Sequence, residues 1–244
     1  LYIAMQYCSG GDLHAKINSN KSLIDIKRWL LQLAQGVAWM HEKNIVHRDL
    51  YTKNIFLDEH DDIRIGDFGL ARSTVPTSSS TSAAQTMQKV RGYIPFWSPE
   101  RVKNLTTHSA APPDDMWCVG MIVLELMNDK EIETLSGWSS IATHENRFKL
   151  RNLKADAKKK HKHLYQQIEG LFKTNPAERT TAQDLVFKLQ SLGNGARYVS
   201  TEFAKRNKSF VDMVLALPVP RTLKQAVQGM SKIPGLDEGV QVAL

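Results

Sequence analysis

Three oxygen-bearing side chains carry the chemical signal of this sequence: Asp49, Asn54 and Asp67. Asn54 to Asp58 and Ile63 to Phe68 are short runs of strand formers, and the polar stretch Glu59-His60-Asp61-Asp62 between them predicts a hairpin. Asn54 and Asp67 stand at the two ends of that hairpin, and Asp49 lies in irregular backbone just ahead of it. A few hard oxygen donors suit Mg²⁺, which keeps several waters and shares its remaining positions with a phosphate substrate. Asp49 can then accept a hydroxyl proton while the cation neutralises charge on a transferring phosphoryl group.

The elements that must hold these residues are mostly helical. Ile26, Trp29, Leu30, Leu33, Val37 and Met40 recur at three- and four-residue spacing, which predicts an amphipathic helix of about five turns. Residues 114 to 127 are apolar around the whole circumference and belong at the centre of a domain. Within them, the run from Met116 to Met127 is too short to span a bilayer and contains Glu125. Leu164, Ile168, Leu171 and Phe172 mark a further helix. Thr181-Ala182-Gln183-Asp184 is a capping box opening another through Leu189 and Leu192, closed by Gly193 and Gly195. Leu1 to Met5 reads as a strand ending in the turn Cys8-Ser9-Gly10-Gly11, Val46 to Leu50 as irregular, and Ser73 to Gln88 as a mobile Ser- and Thr-rich loop. The fold class is therefore α+β, mainly α, over residues 1–192. A tail follows over 193–244, where Leu223, Ala226, Val227 and Met230 suggest a short amphipathic helix.

Composition narrows the possibilities. With 244 residues, 42% hydrophobic and 23% charged, the chain is neither disordered nor fibrous. Two cysteines, Cys8 and Cys118, argue against a disulfide framework and fit a reducing compartment, expected to be cytoplasmic with a nuclear or cytoskeleton-associated place as the alternatives. The net charge of +7 favours acidic partners in general. Its one dense block, Lys158-Lys159-Lys160-His161-Lys162-His163, contains no aromatic residue, so it reads as a solvated face or insertion loop and not as a nucleic-acid patch. The chain opens mid-pattern on Leu1 with no secretory leader, which reads as a fragment entered from upstream sequence.

His47-Arg48-Asp49-Leu50-Tyr51-Thr52-Lys53-Asn54 resembles the catalytic loop of protein kinases, and Asp67-Phe68-Gly69 resembles their magnesium motif. Ser98-Pro99-Glu100 stands where kinases have Ala-Pro-Glu, Asp115 to Gly120 resembles the start of their central helix, and Asn175 to Arg179 resembles the segment whose arginine pairs with that glutamate. Leu1 to Leu13 and Asn54-Ile55-Phe56-Leu57 are most similar to NIMA-related serine/threonine kinases. The resemblance implies a kinase large lobe preceded by the hinge, with ATP and Mg²⁺ as cofactors and proteins as substrates. It implies Asp49 as catalytic base, Asn54 and Asp67 as metal ligands, and Met5, Gln6, Tyr7, Cys8 and Phe56 around the adenine. His47 and Phe68 become packing residues, Glu100 and Arg179 a structural ion pair, and Asp115 a brace for the catalytic loop. Arg48 would pair with a phosphate on the Ser- and Thr-rich loop.

Two positions depart from the pattern. Tyr51 stands where serine/threonine kinases usually carry Lys, and Tyr93 follows Gly92 where they usually carry Thr. The small lobe, with its glycine-rich loop and strand lysine, lies upstream of the hinge in the family, so the chain alone is expected to be too truncated for activity. The rival expectation is a catalytically impaired, pseudokinase-like scaffold, with a regulatory partner for the tail.

Overall fold

A computed structural model describes residues 6–74, 92–104, 111–132 and 144–191, apart from the side chains of 144–147. The expected strand Leu1–Met5, residues 75–88 of the Ser- and Thr-rich loop, and everything from Leu192 onward lie outside the described residues. Six described helices form the body: α1 (Leu23–Glu42), α2 (Pro99–Lys103), α3 (Pro112–Asn128), α4 (His144–Lys160), α5 (Lys162–Ile168) and α6 (Ala182–Ser191). Strands are short and come in two antiparallel pairs. In one, β2 (Ile55–Leu57) faces β3 (Ile63–Ile65), with Ile55 opposite Ile65 and Leu57 opposite Ile63. In the other, β1 (Ile45–Val46) faces β4 (Arg72–Ser73).

Helix α1 starts at a capping box in which Ser22 and Asp25 exchange hydrogen bonds, and it buries Ile26, Trp29, Leu30, Leu33, Val37 and Met40. Helix α3 is buried on every side from Asp114 to Met127 and contacts α1, α4 and β1. Helix α6 opens at Thr181, whose hydroxyl accepts from Asp184 N–H, and packs along α1.

The structure corrects several expectations. Of the two expectations for the basic block the solvated face holds and the insertion loop falls, since the block belongs to the end of α4 and the start of α5. Its lysines are solvent-exposed because Leu150, Leu153 and Ala157 turn the other face of α4 to the core. The helix carrying Leu164 and Ile168 tightens into a 3-10 turn at Glu169–Phe172. Ile45 and Val46 are paired as a strand before the backbone becomes irregular at His47. Phe68 leaves the hairpin for a 3-10 turn over Phe68–Leu70, because Asp67 adopts a left-handed backbone with φ of 55°.

The hairpin is clamped to one face of α1. Buried Asp58 folds its loop, accepting from the N–H groups of His60 and Asp62 at 2.9 and 3.0 Å, and from Arg64 at 2.6 Å. Residues spaced by about one turn on α1 then hold that loop. Arg28 donates to Asp61, and Trp29 Nε1 donates to the Asp61 carbonyl at 3.0 Å. Gln32 donates to Asp62 and accepts from Ile63 N–H at 3.0 Å. A polar stripe inside an apolar helix thereby fixes where both ends of the hairpin fall.

Two buried ionic anchors finish the frame. Arg179 spends all five donors: on both oxygens of Glu100 at 2.6 and 2.8 Å, on Pro113 O, and twice on Lys173 O. This ties α2 to the start of α3 and to the turn before α6. Asp115, fully buried on α3, accepts from His47 N–H at 2.8 Å and Arg48 N–H at 2.9 Å, with His41 Nε2 at 3.0 Å. Arg48 sits at φ of 72°, a conformation that a bulky residue holds only under outside restraint. Replacing Asp115 by Ala strands the buried His47 N–H and the half-buried Arg48 N–H, so we expect a loss of about 3 kcal/mol or more in urea unfolding. Asp115→Asn, which keeps one acceptor oxygen, is expected to cost less, about 1–3 kcal/mol. Equal stability of Asp115→Ala and the parent would refute the anchor.

Candidate active site

Asp49 follows the restrained Arg48 and is gripped at both oxygens. Oδ1 accepts from Tyr93 N–H at 2.9 Å, and Oδ2 accepts from Asn54 Nδ2 at 3.1 Å. The same Asn54 nitrogen also donates to the Asp49 carbonyl at 2.8 Å. Asn54 is buried, and a 3-10 turn over Thr52–Asn54 lifts it into place. Gly92, at φ of +97°, is required by this closeness: a Cβ there would lie 3.1 Å from Asp49 Oδ1 and 3.2 Å from the Arg48 carbonyl.

Asp67 lies at the other end of the hairpin, joined to Asn54 through Gly66, whose N–H donates to Asn54 O at 2.9 Å. Its carboxylate is exposed, and Oδ1 accepts from Gly69 N–H at 3.2 Å. Committing the Asn54 amide nitrogen to Asp49 turns its oxygen away, so an amide oxygen and an exposed carboxylate are the hard donors here. This set fits Mg²⁺ with waters completing its shell, and does not fit a closed protein cage. Among the described residues, no group of three His, Cys, Asp or Glu side chains could hold a metal.

The ring of Phe56 lies against Gly66, where a Cβ would come within 2.6 Å of Phe56 Cε2. The 6–12 segment runs alongside, since Gly10 N–H donates to Leu57 O, Leu57 N–H donates to Gly11 O, and Asp12 bridges to Phe56. Gln6, Tyr7 and Cys8 precede this paired stretch, with Tyr7 74% exposed; Met5 lies outside the described residues. Burial raises the Cys8 thiol above its ordinary value, with Arg64 opposing, so Cys8 is not an activated nucleophile.

Both ring nitrogens of His47 are engaged: Nε2 donates to Gly66 O at 2.9 Å, and Nδ1 faces Asp49 N–H at 3.4 Å. Its ring packs on Phe68 at 4.9 Å. His47 therefore fixes backbone and is no base. Burial lowers Arg48 from its ordinary value, and neighbouring Arg101 and Arg72 push the same way. Arg101, which spacing did not single out, donates to Arg48 O at 2.9 Å and covers the Trp97 ring at 4.3 Å. Tyr93 stands out in the sequence as a departure from the family pattern, but that its backbone N–H, 44 residues away, holds Asp49 leaves no trace there.

A model of the protein kinase domain family matches residues 1–188. The mouse serine/threonine-protein kinase Nek3 is 32% identical over 190 residues, covering 76% of this chain and 35% of Nek3. Mouse Nek1 is 28% identical over 203 residues, covering 77% of this chain and 15% of Nek1. The Arabidopsis thaliana mitogen-activated protein kinase kinase kinase YODA is 30% identical over 193 residues, covering 76% of the chain and 20% of YODA. The chain thus spans about a third or less of the length of each of these relatives. With catalytic-loop residues, a hairpin and an Asp-Phe-Gly turn meeting at one place, this chain belongs to the protein kinase domain family.

Proposed function

We propose that the chain supplies the hinge and large lobe, residues 1–192, of a cytoplasmic serine/threonine protein kinase that transfers the ATP γ-phosphate to protein hydroxyls. The observation that carries this reading is the two-sided grip on Asp49. Asn54 and Tyr93 hold both carboxylate oxygens, so the base is aimed before substrate arrives, and preorganisation of this kind is most of what phosphoryl transfer asks of a protein. Asp49 accepts the hydroxyl proton as the oxygen bonds to the γ-phosphorus and the bond from that phosphorus to the bridging oxygen breaks, releasing ADP. Asn54 and Asp67 would hold Mg²⁺, which would supply charge neutralisation at the phosphates. Phe56, with Met5, Gln6, Tyr7 and Cys8, lines the adenine side. Arg48, with Arg72 and Arg101 close by, supplies a cationic seat for a phosphorylated residue of the loop between Ser73 and Thr86. The tail at 193–244 is left for a regulatory partner. Among the described residues no helix is long and apolar enough to cross a membrane, and nothing in the basic block is interleaved with aromatics for nucleic acid.

A second reading, a non-catalytic scaffold, draws on Tyr51, which puts a ring where the family's cation stands. Two substitutions decide between them. The 244-residue chain alone is expected to transfer no measurable phosphate, and a protein with a matching small lobe fused ahead of Leu1 is expected to phosphorylate a protein substrate. Asp49→Asn should then cost roughly a thousandfold in kcat, within the range typical of a positioned base. Asp67→Ala in the same protein should abolish Mg²⁺-dependent ATP binding, read by calorimetry. Transfer unaffected by Asp49→Asn would remove the kinase reading, and ATP binding unaffected by Asp67→Ala would remove the metal assignment.

A further inference from the structure

We propose that Tyr51 and Tyr93 act as a positioning pair, their stacked rings holding the Tyr93 N–H on the Asp49 carboxylate. The proposal rests on Asp49 being the base only for its catalytic consequence; the hydrogen bond and the stack can be tested without turnover. The rings lie 4.8 Å apart at 24°, an offset-stacked arrangement. Both lean on Phe96, Tyr51 edge-on at 6.4 Å and Tyr93 at 5.3 Å, and Phe96 is 1% exposed. Phe96 is itself tied down, since its N–H donates to Tyr93 O at 3.0 Å and its carbonyl accepts from Cys118 on α3.

The backbones of the two tyrosines reach the site from opposite sides. Tyr51 O accepts from Asn54 N–H at 3.0 Å, and Asn54 in turn binds Asp49 Oδ2. Tyr93 N–H binds Asp49 Oδ1 at 2.9 Å. The stack therefore closes a ring of contacts: Tyr51 to Asn54, Asn54 to Asp49, Asp49 to Tyr93, and Tyr93 back to Tyr51. Among the described residues, the hydrogen bond from the Tyr93 N–H ties the segment opened by Gly92 to Asp49. Gly92 lets this segment come that close, since a Cβ there would lie 3.1 Å from Asp49 Oδ1, so the Tyr93 bond depends on the segment keeping its place. In this chain a ring-on-ring contact thus joins the catalytic loop to the substrate side, at the two positions where the sequence departs from its family.

The test uses the full chain labelled with ¹⁵N-tyrosine, which gives at most six amide signals. The Tyr93 signal is assigned by its loss in Tyr93→Phe, and its hydrogen exchange is then followed. Tyr51→Phe keeps the ring and should leave Tyr93 protection unchanged. Tyr51→Ala and the space-filling Tyr51→Leu should lower it about five- to tenfold, the scale of one aromatic pair, while the other resolved tyrosines keep their protection. If Tyr51→Ala unfolds, the Leu variant decides. Tyr93 protection in Tyr51→Leu equal to that of the parent would overturn the proposal. In the fused, active protein, Tyr51→Leu should lower kcat with the KM for ATP unchanged. Transfer that depends on Asp49 but not on the Tyr51 ring would defeat the positioning pair and leave the kinase reading intact.

Discussion

A single buried carboxylate, Asp115, governs the geometry of the site. It sits on the most enclosed of the described helices and accepts two consecutive backbone N–H groups, those of His47 and Arg48. Consecutive amides can point at one acceptor only when the chain turns sharply, and Arg48 supplies that turn through a left-handed backbone. Everything downstream inherits this direction: the aim of Asp49, the 3-10 turn that raises Asn54, and the entry to the hairpin that ends at Asp67. A carboxylate buried for its own sake would be a liability. Here its cost is offset by three donors, and the reward is a fixed loop conformation on a rigid helix.

The same logic recurs at the periphery. Arg179 is buried with every donor satisfied, and joins three segments that the apolar core alone would not orient. Asp58 builds the hairpin loop, and the Arg28, Trp29 and Gln32 stripe of α1 seats it. Polar residues thus set positions, and apolar ones, such as those of α1 and α3, supply the burial.

What could be read from the sequence follows this division. The helix α1 and the central helix α3 were legible from apolar spacing, and the hairpin from its flanking strand formers, because these patterns are local. The α4 helix was hidden: its apolar positions Leu150, Leu153 and Ala157 are sparse and surrounded by lysines, so charge masked the period. The end of the hairpin was misplaced at Phe68 because a left-handed Asp67 leaves no compositional trace. In the site, Asp49, Asn54 and Asp67 were visible as residue types at a recognisable spacing. The partners that aim them were not: Tyr93 N–H is a backbone group, and Arg101 is a lone arginine brought to Arg48 only by the fold.

The proposed seat for a divalent cation lies between Asn54 and Asp67, at the two ends of one hairpin and beside Asp49. Mn²⁺, another hard cation that accepts oxygen ligands, can stand in for Mg²⁺ and broadens nearby NMR signals. Titrating Mn²⁺ with ATP into ¹⁵N-labelled protein should erase the amide signals of Asn54, Gly66 and Asp67 first, while those of α6 stay sharp. Signals at Asn54 and Asp67 that stay sharp while others broaden would place the cation elsewhere.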